Sequence, residues 1–355
     1  MKKLVLLLVL SSAVQIVGAQ EKPLTQEEYV KMLYALQKAP GSKTDIIEAL
    51  RKRGIDFVLN DGIRSLTRSK GANDDELKRA LEEADRRRRD PAGTRAPSSA
   101  ETNSILEKAR SKTRDAVQEM PDFVVKQVIT RSEAYAGTGN WRPYDNLVIG
   151  VSYSTEKGEQ YKVLAKNGVP VNDSAVAGSY SGLDGATSGG EFVEDLQKIF
   201  KPESKTRFQF LTTDVIRDRR AVVFEYEIEI ENNKDGGVGL KGPVYQYTPS
   251  GEKGKIWIDR DSFRVLRIEY VLTDIDRSFP VKAVTKSIDF DMVEIAGDKY
   301  LMPTLSDFRG KVESSGKLFE SRNVIRFKSY QKYGSEVRIL DDDITPAPEP
   351  KPPKP

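Results

Sequence analysis

The chain has 355 residues, with 57 lysines and arginines against 54 aspartates and glutamates, and it contains neither histidine nor cysteine. Without imidazole or thiol there is no disulfide, thiol nucleophile, Ser-His-Asp triad or histidine- or cysteine-ligated zinc, which leaves carboxylate chemistry, Ser-Lys chemistry or none. A net charge of +3, with 38% hydrophobic and 31% charged residues, implies no acidic partner and leaves room for two domains, the larger with its own core.

Lys2 and Lys3 precede the apolar run Leu4 to Leu10, and Val17-Gly18-Ala19 supplies small residues before Gln20. This pattern predicts a secretory signal peptide over residues 1–19, cleaved after Ala19. Ser11, Ser12 and Gln15 interrupt the run, whereas spanning a bilayer takes ~20 mostly apolar residues, so no stable transmembrane segment is expected after removal. The mature protein should then be nearly neutral and lie in the periplasm or outside the cell.

Residues 22–89 read as a module of short helices. Thr25 and Glu28 make a capping box before Tyr29, Leu33 and Leu36. Ser42 is expected to cap a helix that carries Ile46, Ile47 and Leu50 and stops at Gly54, a third helix ends at Gly71, and Asn73 opens a fourth. Within Arg53-Gly54-Ile55-Asp56-Phe57, Gly54 turns the chain while Ile55 and Phe57 enter a small core; this segment followed by Gly71-Ala72 resembles a short helical unit found near the N-terminus of various exported bacterial proteins. Arg86 to Arg89 read as a solvated helix end, with no nucleic-acid stripe around them. Residues 90–103, rich in Pro, Gly, Ser and Ala, read as a linker.

A helix from Ile105 to Met120 then leads to β-favouring segments at Phe123–Thr130, Leu147–Ser154, Tyr161–Lys166, Arg207–Val215, Val222–Glu231, Lys255–Ile258, Arg264–Leu272, Ala283–Glu294, Tyr300–Met302 and Asn323–Tyr330. Short polar or Gly-containing turns favour antiparallel pairing, and Asp259-Arg260-Asp261-Ser262 predicts a hairpin turn. One helix, Glu191 to Phe200, interrupts the strands, after a Gly- and Ser-rich run, Val176 to Gly190, that could serve as a lid. The alternation of Phe224-Glu-Tyr-Glu-Ile-Glu-Ile-Glu231 puts four glutamates on one face. A glycosidase pair would need an asymmetric, buried setting, so the stripe is expected to face water, opposite cations of a neighbouring strand. Ser154-Thr-Glu-Lys157 and Ser314-Ser-Gly-Lys317 lack the companion motifs of Ser-Lys enzymes, and Asp289, Asp291 and Glu294 lack the spacing of a calcium loop. No catalytic residue, metal or cofactor is expected.

Ile256-Trp-Ile-Asp259 with Arg264-Val-Leu-Arg-Ile268, and Tyr300-Leu-Met-Pro303 late in the sheet, resemble the LolA-like superfamily of exported lipoprotein and lipid carriers. Met120-Pro-Asp-Phe123, Tyr161-Lys-Val-Leu-Ala-Lys-Asn-Gly168, Gly189-Gly-Glu-Phe192 and Phe279-Pro280 are closer to a group of exported bacterial proteins of uncharacterised role built on that plan. The resemblance spans residues 104–341 and implies an α+β fold: a curved antiparallel half-barrel wrapped around helices, holding acyl chains in its concavity. It would make Val124, Val128, Leu147, Ile149, Phe208, Phe210, Ile256 and Ile258 the apolar lining, and a lipid or acylated protein the partner. The carriers' arginine-proline segment has no counterpart, since Arg142-Pro143 reads as part of a polar loop beside Trp141. The alternative is an envelope interaction or sensor protein with a packed, ligand-free sheet, binding through its helical module or through the Pro-rich tail, residues 342–355, an extended spacer by composition.

Overall fold

The computed structural model describes residues 22–91, 95–171, 183–187, 189–192, 194–234, 236–241 and 245–333. The expected signal peptide, most of the expected lid and the Pro-rich tail lie outside these residues.

Four helices open the described chain: α1 (Gln26–Ala35), α2 (Lys43–Arg53), α3 (Asp61–Lys70) and α4 (Asp75–Arg89). The capping box forms as expected, with Glu28 N donating to Thr25 Oγ1 at 3.2 Å and Thr25 N to Glu28 Oε2 at 2.9 Å. Ser42 does not cap α2; its hydroxyl donates to Ala39 O at 2.8 Å inside a 3-10 turn over Pro40–Ser42. Asp74, rather than Asn73, caps α4, because its carboxylate accepts from Leu77 N at 2.9 Å. Gly54 ends α2 at φ +71°, a conformation strained for any side chain, and Ile55 then bridges to Leu24. Tyr29, Leu33, Ile46, Leu50, Ile55, Phe57, Leu77 and Leu81 belong to a core drawn wholly from this module.

Helix α5 (Ser99–Gln118), capped by Ser98, begins before the expected Ile105 and shortens the linker. It leads into strands β1 (Phe123–Tyr135), β2 (Arg142–Ser154), β3 (Gly158–Lys166) and β4 (Val169–Pro170), followed by helix α6 (Glu194–Phe200). Next come β5 (Arg207–Ile216), β6 (Arg219–Ile228), β7 (Gly237–Leu240), β8 (Gln246–Pro249), β9 (Gly251–Asp259), β10 (Val265–Thr273), β11 (Val281–Ile295), β12 (Asp298–Ser314) and β13 (Lys317–Lys332). All but β7 and β8 form one antiparallel sheet of 11 strands in the order β4-β3-β2-β1-β13-β12-β11-β10-β9-β6-β5. The sheet is open, with β4 and β5 at its edges, so the fold is α+β with a large unclosed antiparallel sheet. β7 and β8, which the sequence reading passed over, pair only with each other.

The turn after β9 is built as expected: Asp259 Oδ1 accepts from Asp261 N at 3.0 Å and Ser262 N at 2.6 Å. β12 runs far beyond Tyr300–Met302. Pro303, which would stop a regular ladder, sits at the register break between Asp289 and Phe290 of β11, where a missing N–H is tolerated. Arg142 and Pro143 open β2 instead of lying in a loop. The acidic alternation ends at Ile228, as Ile230–Asn232 turn into a 3-10 segment. Arg207 of the edge strand bonds both Glu227 and Glu229, and these carboxylates are half in solvent; the stripe is a solvated face.

Candidate functional site

Because side chains alternate along a strand, the central strands divide their residues between two unlike faces. On one face, α5 and α6 pack Ile105, Ala109, Leu196, Ile199 and Phe200 against Phe224, Ile256, Ile258, Ile268, Ile288 and Phe290. Towards the β4 edge, Phe192 plugs the same face, with its ring 5.1 Å from that of Phe123 and 5.3 Å from that of Phe327. The expected lining is therefore divided. Leu147 and Ile149 are buried with Phe192, and Ile256 and Ile258 are buried beneath α5 and α6, with Phe208 and Phe210 half-buried at that cluster's margin. Val124 and Val128 alternate with Phe123, Val125 and Ile129 and so lie on the opposite face, where Val128 stands opposite Val148 and Arg326.

The helix-covered face also buries charge. From β11, Lys286 Nζ lies 2.9 Å from Asp195 Oδ2 of α6 and 3.2 Å from Glu191 Oε1. Lys198 Nζ lies 2.5 Å from Glu252 Oε2, and Tyr226 donates to Glu252 Oε1 at 2.7 Å. Burial alone would push the Lys286 ammonium down, yet Asp195 and Glu191 hold it well above its ordinary value. Burial raises the Glu252 carboxyl against the pull of Lys198. Burial also raises Glu159 to about 7, aided by Glu191 and Glu194 and opposed by hydrogen bonds from Tyr161 and Gly190 N. These groups orient α6 on the sheet. Sequence reasoning passed over them, although there was a signal: Lys286 shares its parity with Ile288 and Phe290, and Glu252 shares its own with Ile256 and Ile258.

The other face is seated on the helical module almost wholly by ion pairs. Arg267, 1% exposed, binds Glu83 of α4 at 2.9 Å and Asp289 at 2.5 Å. Arg79 reaches Asp289 at 2.9 Å, Arg51 reaches Glu269 at 2.9 Å, and Arg322 bonds Asp74 at 3.1 Å and Asp307 at 2.6 Å. Glu76 and Asp75 bond Arg309 and Arg326. Arg87 binds Asp214 at 2.6 Å, whose other oxygen accepts from Trp257 Nε1 at 3.0 Å. Burial would raise Asp289 and Asp74, but Arg267 and Arg79 hold the first at about 2, and Arg322 and Lys43 hold the second at about 2. The Arg86 to Arg89 run is thus no solvated helix end: Arg87 clamps the sheet, Arg86 meets Asp218, and Arg88 and Arg89 tie back to Asp85.

Between module and sheet a cleft of about 280 Å³ remains, lined by the Pro40–Ile47 region, the β1–β2 loop with Trp141, and the adjoining ends of β11, β12 and β13. A Cβ on Gly41 would meet Gly137 O at 2.6 Å, and one on Gly139 would meet Pro40 C at 2.7 Å. Glycine therefore allows the β1–β2 loop to touch the module and close one end of this cleft.

The architecture defines a class: an open, helix-filled antiparallel sheet with a second helical layer seated on its far side by charge. No protein-family model matches the chain, and no curated protein matches it. Among solved structures it is similar to a DUF1329 family protein from Desulfovibrio piger, at 13% identity and a TM-score of 0.31, covering 68% of this chain and 96% of that one. It is also similar to MucB in complex with MucA(peri), at 9% identity and a TM-score of 0.16, covering 65% of this chain and 94% of that one. Among the described residues, no helix is long and apolar enough to cross a membrane.

Proposed function

We propose that the protein is a non-catalytic binding protein of the cell envelope, acting on protein partners through its helical module with the sheet as a packed scaffold. One observation carries this reading: the face expected to receive acyl chains is filled by α5, α6 and Phe192, leaving the module and its surroundings as the accessible surface. Tyr34 and Val58 stand 50% and 67% exposed there and provide positions for photo-crosslinking in intact cells. A discrete crosslinked species that depends on these positions, and is absent when the crosslinker sits at exposed Tyr247 on β8, is the expected result. Equal, diffuse labelling from all three positions would refute it.

Burial of an acyl chain is a second reading, favoured by α6 itself. This helix is only seven residues long, and its Leu196, Ile199 and Phe200 occupy space that Phe208, Phe210, Ile256 and Ile258 already surround. Native mass spectrometry of the mature chain, followed by lipid extraction, separates the two readings. The packed reading predicts an empty protein that takes up no fluorescent fatty acid. A stoichiometric lipid that is lost in Phe210→Glu but kept in Val128→Glu, on the opposite face, would establish the carrier reading instead.

A further inference from the structure

The cleft between the module and the sheet has the chemistry of a ligand site, and its ligand class can be argued from charge, uncommitted polar groups and shape. Each cation of its wall already has an anion. Lys43 and Arg322 share Asp74 at 3.4 and 3.1 Å, Arg309 bonds Glu76, and Lys311 lies 3.3 Å from Glu320. A phosphate or carboxylate entering here would meet carboxylates already drawn up to these cations, which makes the cleft less suited to an anion than its lysines and arginines alone suggest.

Three groups are left uncommitted. Among the described residues, the hydroxyls of Thr44 and Thr285 and the indole N–H of Trp141 take no hydrogen-bond partner, although all three residues line the cleft. The remaining surface is small or apolar: Gly41, Gly137 and Ala283, with Ile47 behind them. Pre-paired ions present both donors and acceptors at fixed positions. An aromatic ring beside them offers a surface for weakly polar C–H groups.

We propose that this cleft binds a neutral polyhydroxylated ligand, a short saccharide, with its hydroxyls on the paired ions and threonines and a sugar face against Trp141. Vicinal hydroxyls both donate and accept, which suits this mixture of groups better than a purely anionic or purely apolar molecule does. The volume of about 280 Å³ is at the small end for ligand pockets and fits a short oligomer rather than a long chain. The site lies on the face opposite α5 and α6, so its occupancy does not depend on whether the concave face is filled.

The chain has two tryptophans, and they suit the test. Trp257 is 5% exposed and bonded to Asp214 beneath the module, so a ligand-linked change in emission reports chiefly Trp141. The mature protein, Trp141→Phe and Thr285→Val would each be titrated by fluorescence and calorimetry with a panel of di- to tetrasaccharides of hexoses and N-acetylhexosamines, and with sodium phosphate and citrate. Thermal midpoints would confirm that the variants fold. Saturable binding of at least one saccharide is expected, with the fluorescence response lost in Trp141→Phe and affinity weakened about tenfold in Thr285→Val, as loss of one hydrogen bond predicts. Saturation by phosphate or citrate alone would assign an anion site and overturn the proposal. So would silence across the saccharide panel, or saccharide binding indifferent to both substitutions.

Discussion

The two faces of the sheet are made by the same strands and held to their helices by opposite means. Ile268 and Tyr270 of β10 point to α5 and α6, while the intervening Arg267 and Glu269 point to the module. The helix-filled face joins strands and helices in shared apolar clusters, whereas the module keeps its apolar residues to itself and meets the sheet through paired charges. Apolar contact is non-directional and its strength scales with area. Buried ion pairs demand one geometry and are costly when a single partner is lost. The first face therefore supplies most of the stability, and the second fixes where the module sits.

Phe290→Ala breaks the apolar side hardest. This ring is fully buried beneath α5 and α6, and its removal is expected to cost about 3–5 kcal/mol, seen as a global fall in the denaturation midpoint. Arg267→Ala tests the charged side by leaving buried Glu83 without its cation and Asp289 dependent on Arg79. A loss of about 3 kcal/mol is expected, with hydrogen exchange rising first in α4, while joint replacement of Arg267, Glu83 and Asp289 by leucine recovers much of it. Equal exchange throughout the sheet in Arg267→Ala would show that the two faces are not separable.

Acid sharpens the contrast. Asp289 and Asp74 are held at about 2, below their ordinary 3.8, so their contribution is complete above pH 4 and is lost as the pH falls towards 2, at about 2 kcal/mol each. The module should loosen before the apolar core, detected as an early transition in Trp257 emission. Glu159 acts in the opposite sense. Its value of about 7 lies above the ordinary 4.5, so it favours the folded state below pH 4.5 and that contribution disappears as the pH rises through 7. Glu159→Gln should remove about 2 kcal/mol of the stability change between pH 5 and 8, read from thermal midpoints across that range. An unchanged pH profile would remove Glu159 from the account.

Much of the fold was legible from local pattern. The capping box at Thr25, the Gly54 terminator, the Asp259 turn and the inward Leu147, Ile149, Ile256 and Ile258 all follow from spacing and residue type. In Phe123-Val-Val-Lys-Gln-Val-Ile129 the pattern misleads, because valine occupies both parities while fully buried Gln127 takes the helix-covered face. The seat of the module was not legible. Arg267, Glu269 and Asp289 alternate with apolar residues as a wet outer face would, and a strand read alone does not reveal whether its charges meet water or a helix carrying their complements. The cleft depends on the contact between Gly41 and the β1–β2 loop, which joins segments far apart in the chain.

The strand order has a consequence for how the molecule is made. β13, the last strand of the described chain, lies between β1 and β12 and is the sole link between the four strands on one side and the six on the other. Until residues 317–332 are available, the earlier strands can form only two separate sheets, each with an unpaired edge. Completion of the sheet is thus deferred until the last of these strands has been synthesised. Joining the two halves through β1 and β13, a contact of high sequence separation, is expected to be slower than the hairpin pairings within each half.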